Sequence, residues 1–345
     1  MEALIVSLSP NIGHLSHVLA YYELLSRIGY NCSLLLNERV TDYVPKNLKQ
    51  VKSPDAANPY DIVILYSPSP KNLLVSLKAH KNKNTKLLYV FHEPIQSFSE
   101  LRAAGFSFTY LVRLWIINII SRLLVKCSDI ILLPSKKALD IYKHNRTYHN
   151  DNYHYFPLIF DDERELESSV RERSYFSYIG TVAADHSFNE YLDFVAWAIE
   201  ENRLPDFHFL IATKSDFDVP PILKESPRVV IKKGRPLTNK EINDCYASSF
   251  VVWNAYTRTT QSGVLAKCFM FGTPAIVLKR NLSEFTNDRQ EVYAIDDNTS
   301  YYEIENSVLE ILKNYSHYSN AARNRFEQVY HYVNYTECLK HILSQ

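Results

Sequence analysis

Short apolar runs recur along this chain, each followed by a polar loop and then by a stretch whose apolar residues return every three or four positions. Residues 4–8, 32–36, 61–66, 86–91 and 129–133 read as strands covered on both faces, because the apolar character is continuous but brief. Between them, Leu15, Val18, Leu19, Tyr22 and Leu25 share one helical face, and residues 71–84 and 136–144 also read as helices. A polar and aromatic stretch at 147–155 leads into the acidic run 161–167, and a second series begins. Its strands fall at 175–179, 207–212, 229–231, 250–253 and 275–278, and its helices at 189–200, 240–247, 264–271, 302–313 and 318–330. Alternating strands and helices force parallel pairing, since each strand must return through a crossover. The chain therefore reads as α/β, two doubly wound halves facing a cleft, with a linker between Pro157 and Val170.

The loops at the carboxyl ends of such strands carry the ligands in open α/β sheets. The most informative one follows the run 250–253. There Thr260, Gln261, Ser262 and Gly263 stand where a helix begins, with backbone N–H groups and hydroxyls suited to an anion. In the first turn of the chain a single glycine, Gly13, is followed by His14. This suits a loop that approaches a ligand closely, and equally a plain tight turn. The three-glycine dinucleotide fingerprint is missing, which excludes an NAD-type site. His92-Glu93-Pro94 ends another strand, and a histidine beside a carboxylate there can move a proton or hold a hydroxyl. A turn ordered by Pro94 is the alternative. Residues 100–126 are apolar over a broad face with arginines among them, which fits either a helix lying in a membrane interface or one buried against the sheet.

Composition narrows the choice of partners. A chain of 345 residues suits two domains rather than one core. The 38 basic and 38 acidic residues cancel, which argues against nucleic acid as partner. They are unevenly placed: 18 basic and 10 acidic residues precede Asp151, so a basic first half joins an acidic second half. Five scattered cysteines lack metal-ligand spacing and, without a recognisable leader, point to the reducing cytoplasm. No stretch reads as a membrane-spanning helix, because Arg113 and Arg122 interrupt the most apolar one.

The order of these motifs resembles a known family. A Gly180 loop, a Gly234 loop and then Gln261-Ser262-Gly263-Val264-Leu265, followed six residues later by Gly272-Thr273-Pro274-Ala275-Ile276, is similar to the carboxyl-terminal domain of GT-B glycosyltransferases. The likeness is to the retaining family-4 group, in the branch that builds bacterial surface polysaccharide such as O-antigen and capsule. It implies a GT-B fold of two Rossmann-like domains. Residues 1–160 would be the acceptor domain, 161–325 the nucleotide-sugar domain, and 326–345 a helix packing back on the first. It further implies a hexosyltransferase that needs no metal and no cofactor beyond its nucleotide-diphosphate sugar. The acceptor would be a lipid-linked sugar or an oligosaccharide at the inner membrane face.

Carried over by position, Ser262 and Gly263 would meet the donor diphosphate, and Gln261 and Thr260 the sugar or phosphate. Leu237 would lie near the base, and Gly13 and His14 beside the donor. His92, with Glu93, would stand at the transferred sugar. The chain departs from the family in four places. Thr259 and Lys267 occupy the slots of two usual glutamates, and Thr181 and His186 those of an arginine and a lysine. Positive charge for the leaving group must then come from Lys214, Arg235, Arg258, Lys267 or a protonated His186. Two other readings share these residues: an epimerase of the same fold acting on the nucleotide sugar, and a silent partner of another transferase.

Overall fold

The computed structural model describes residues 1–10, 12–53, 60–80, 84–95, 98–103, 105–164, 173–258 and 261–345. The chain divides into two compact units, Met1–Asp161 with Tyr330–Gln345, and Asp162–Val329.

In unit 1 the elements run β1 (Glu2–Ser7), α1 (Leu15–Arg27), β2 (Asn31–Leu36), α2 (Glu38–Thr41), β3 (Ile62–Tyr66), α3 (Pro70–His80), β4 (Lys86–Val90), α4 (Phe98–Ala103), α5 (Phe108–Cys127), β5 (Ile130–Leu133), α6 (Lys136–His144) and β6 (Tyr153–Tyr155). The strands form one parallel sheet in the order β2-β1-β3-β4-β5-β6. Alternate residues of each central strand face opposite sides. Ile5, Ile64 and Leu88 meet Val18, Leu24 and Leu25 of α1 on one face. Val6, Leu65 and Tyr89 meet Val75 of α3 and Leu124 and Val125 of α5 on the other. The C-terminal helix Thr336–Ser344 joins the first face through Leu339 and Ile342.

In unit 2 the order is β7 (Tyr175–Ile179), α7 (Phe188–Glu200), β8 (His208–Ala212), α8 (Pro221–Glu225), β9 (Val229–Lys232), α9 (Asn239–Ser248), β10 (Ser249–Trp253), α10 (Gly263–Met270), β11 (Ala275–Leu278), β12 (Val292–Ile295), α11 (Tyr301–Lys313) and α12 (Tyr315–Arg325). Its sheet is again parallel, ordered β12-β11-β10-β7-β8-β9. Its core is aromatic: Phe176, Tyr191, Phe194, Phe209 and Trp253 pack together with Ile276 and Val308.

Several elements differ from the sequence reading. β6 and β12 are strands at sheet edges; β6 is Tyr-His-Tyr and lacks the apolar run by which the other strands were read. Residues 100–126 are not one helix, because Ser107 caps a new one, its Oγ accepting from the Tyr110 amide at 3.4 Å. Nor is α5 buried as a whole: it meets the sheet through Leu124 and Val125, and most of its other residues are exposed or only partly covered. The last helix of unit 2 stops at Arg325 and a single wide turn, Phe326–Tyr330, follows.

Gly272 ends α10 at φ +64, and a Cβ built there would lie 3.1 Å from Ser319 Oγ and 3.2 Å from its carbonyl oxygen. Backbone conformation and crowding both exclude a side chain. Gly272→Ala is expected to destabilise unit 2 by about 1–2 kcal/mol, read as a lower urea midpoint; an unchanged midpoint refutes the crowding.

Candidate functional site

The strand order reverses direction between β10 and β7 in unit 2, and between β1 and β3 in unit 1. At such a point successive crossovers leave toward opposite sides, and their loops diverge to open a crevice beyond the carboxyl ends of the strands. Each unit therefore offers one, and the sequence motifs fall on both.

In unit 2 the loop after β7 and the loop after β10 close on each other. Gly180 abuts the second loop: a Cβ on it would sit 3.3 Å from Tyr256 Oη and 3.9 Å from Val264 Cγ2 at the start of α10. The His186 ring stacks on Tyr256, with centroids 4.0 Å apart and planes 4° from parallel. His186 Nδ1 donates to the Thr181 carbonyl at 2.6 Å, which turns Nε2 toward Asp185 at 3.8 Å. The buried Asp185 carboxylate also meets Arg258 at 3.6 Å, while its backbone carbonyl accepts from the Thr257 amide at 2.8 Å. Ser262 caps α10: its Oγ accepts from the Leu265 amide at 3.4 Å and from Asn254 Nδ2 at 3.3 Å. Gln261 beside it is buried. The structure thus places Thr181, His186, Gln261, Ser262 and Gly263 on the neighbouring loops that follow β7 and β10; Thr259 and Thr260 lie outside the described residues.

The remaining expectations for this unit separate. Lys214 follows β8, and its neighbour Ser215 accepts from the Val182 amide at 3.1 Å, tying that loop to the Gly180 loop. Lys214 is exposed. Arg235 pairs with Glu241 at 2.5 Å and Arg258 with Asp185. Lys267 is buried and faces Glu163, with Nζ 2.5 Å from Oε2, inside a triangle closed by Asn243 Oδ1 at 3.4 Å and by Asn243 Nδ2 to Glu163 at 3.1 Å. Among the described residues, Lys214 is the one cation of the five candidates that has no hydrogen-bonding or charged partner; Lys267 is held as a tie between α10, α9 and the segment entering the unit. Leu237 is buried in the loop between edge strand β9, two strands from β7, and α9.

In unit 1, Gly13 and His14 follow β1 and His92 follows β4. The His14 ring lies 5.2 Å from Tyr66 and 6.3 Å from His92. His17 stacks on Tyr66 at 5.8 Å and stands 6.4 Å from His92, its Nδ1 3.2 Å from the Ile159 carbonyl. Tyr66 and Asp185 were missed from sequence: Tyr66 closes an apolar run, and nothing local marks Asp185 as the partner of Arg258. Burial lowers the His92 pKa, against the opposing pull of the exposed Glu93 carboxylate, so the neutral ring is favoured. Burial also raises the Tyr66 phenol well above its ordinary value. Among the described residues, no group of three His, Cys, Asp or Glu side chains is arranged to hold a metal.

No protein-family model matches this chain, and no curated protein matches it by sequence. Solved structures do match. An alpha-glucosyltransferase in complex with UDP and a 13-mer DNA containing a HMU base superposes with a TM-score of 0.71 at 14% identity, over 100% of both chains. Anabaena Alr3699/HepE in complex with UDP-glucose gives 0.69 at 14%, over 100% of this chain and 99% of that one. Sucrose-phosphate synthase from Thermosynechococcus elongatus gives 0.68 at 10%, over 100% and 98%. The chain has the GT-B fold, built from two Rossmann-like units.

Two outcomes follow from this geometry. Glu163→Ala strands a buried ammonium and should destabilise by about 2–3 kcal/mol, with Glu163→Gln milder; equal stability of all three proteins in urea refutes the tie. Because the folded His92 pKa is lowered, the unfolded chain takes up a proton first as pH falls through about 6.5, and stability is lost on that side. His92→Gln should flatten this part of the melting-temperature profile; a profile identical to wild type refutes it.

Proposed function

We propose that the chain is a glycosyltransferase that moves a sugar from a nucleoside diphosphate donor to an acceptor hydroxyl, with a uridine donor the first to test. The observation that carries this is the convergence of the Gly180 loop and the capped start of α10 at the strand-order reversal, in a fold shared with proteins whose structures hold UDP or UDP-glucose. In this reading unit 2 binds the donor and unit 1 the acceptor.

The diphosphate would lie against the amides of Gly263 and Val264, beside Ser262 and Gln261. A helix dipole is worth about 0.3–1 kcal/mol to an anion. One cation at 4 Å gains about 4 kcal/mol before solvent screening, of which about 1.5–3 kcal/mol is left as a charge-assisted hydrogen bond. The dipole alone is therefore too weak, and Lys214, exposed beside the Gly180 loop, is the side chain assigned to the leaving group, with no metal in the step. Leu237 would flank the base, and Thr181 and His186 would line the diphosphate side.

The transfer would retain configuration. The acceptor oxygen bonds to the anomeric carbon on the face from which the diphosphate departs, the carbon–oxygen bond to the diphosphate breaks, and the acceptor proton passes to the departing phosphate oxygen. His92, neutral at pH 7, would hold a hydroxyl of the transferred sugar, with Glu93, Gly13 and His14 around it. The protein then contributes placement and charge stabilisation. A lipid-linked or oligosaccharide acceptor of lipopolysaccharide O-antigen or capsule synthesis fits the basic first half of the chain.

A thermal-shift panel of UDP-, GDP- and dTDP-sugars tests the donor: the right one at 100 times its dissociation constant stabilises by about 2.7 kcal/mol. Gly263→Asp should abolish that binding, and Lys214→Ala should weaken it by roughly tenfold to a hundredfold; unchanged calorimetric affinities refute the site. His92→Ala should lower turnover far more than donor affinity, and wild-type rates would remove His92 from the reaction.

A further inference from the structure

The helix α5 is inside out. Its buried residues are Asn118, Ser121, Leu124 and Val125, while Phe108, Val112, Trp115, Ile116, Ile119 and Leu123 are exposed, Trp115 by 54% and Phe108 by 79%. At about 100° per residue, these six fall within an arc of roughly 100°. Arg113 lies about 60° beyond one edge of it and Arg122 about 20° beyond the other, and Lys126 continues its line at the C-terminal end. The exposed Leu74 and Leu77 of α3, which packs on α5, extend the apolar surface. Neither helix carries a carboxylate, whereas Lys71 and Lys78 of α3 and Arg113, Arg122 and Lys126 of α5 are cationic.

We propose that α5 with the outer edge of α3 is a docking surface for an anionic lipid bilayer, on which α5 lies flat with its apolar stripe among the headgroups. An apolar stripe that carries a Trp and has cations beside it is the pattern that binds such an interface. α5 is long and apolar enough to span a bilayer, but its polar side is committed to the unit. Asn118 Oδ1 accepts from Tyr148 Oη at 3.0 Å, the Val125 carbonyl accepts from Asn150 at 3.3 Å, and Leu124 and Val125 sit in the core beneath the sheet. Crossing the membrane would break these contacts and draw two arginines into hydrocarbon. A second copy of the chain fits the surface poorly, because a two-fold contact sets the same basic patch against itself. A bilayer of anionic headgroups matches both the charge and the apolar stripe.

Flotation of the full chain with vesicles tests this without any sugar donor, so the result is separable from the transferase reading. The protein should float with phosphatidylglycerol–phosphatidylcholine vesicles at low salt, far less with phosphatidylcholine alone, and progressively less as salt rises. The triple variant Trp115→Ser, Ile116→Ser, Ile119→Ser and the pair Arg113→Glu with Lys126→Glu should each lower the partition coefficient by about tenfold or more. These side chains are exposed, so the melting temperature should be unchanged. Brominated lipid should quench tryptophan fluorescence in wild type and not in Trp115→Phe, which reports the contact independently of folding. Absence of flotation at low salt overturns the proposal, as does binding that the triple variant leaves intact. A wild-type dimer that the triple variant converts to monomer would assign the face to a second copy and overturns it equally.

Discussion

Parallel pairing is the constraint from which the rest follows. A strand in a parallel sheet cannot be reached by a tight turn, so every connection becomes a crossover, and a sheet that grows outward in both directions must somewhere send neighbouring crossovers apart. In unit 2 that place lies between β7 and β10, in unit 1 between β1 and β3. The backbone groups exposed there need polar partners, and the loops supply them. Ser262 and Asn254 close the start of α10, and the Asp185 carbonyl receives Thr257. Asn72 accepts from the Leu8 amide and donates to the Tyr66 and Ser67 carbonyls. The described parts of these loops are therefore tied by backbone and side-chain hydrogen bonds.

Charge is distributed to the same end. A buried cation is tolerated only when paired, and three cations of unit 2 that are mostly covered meet carboxylates: Lys267 with Glu163, Arg258 with Asp185, Arg323 with Asp162. Lys267, buried in α10, is thus answered by a carboxylate from the segment entering the unit. That pair adds no net charge to the unit, whereas Lys214, after β8, is exposed.

In α5 polar contacts override the usual direction of burial. Asn118 and Ser121 find partners inside, at the Tyr148 hydroxyl and the Ile117 carbonyl, while large apolar side chains remain outside. Exposed apolar surface on this scale is costly in water, and the proposed bilayer contact would relieve that cost.

The alternation of apolar runs and helical periods was enough to establish the α/β class, the two doubly wound halves and most strand positions, because continuous apolar runs in a parallel sheet are a local property of the chain. The glycine and hydroxyl pattern around Ser262 was legible for the same reason, since a helix start depends on its own residues. Pairings were not. That Lys267 meets Glu163, that Asp185 stands between Arg258 and His186, and that His17 and Tyr66 gather around His92 are contacts between residues distant in sequence, or turned by loops whose path the sheet dictates. Which face of α5 is buried was likewise undecidable from a sequence apolar on nearly every side; it was decided by where Tyr148 and the sheet present partners to Asn118, Leu124 and Val125.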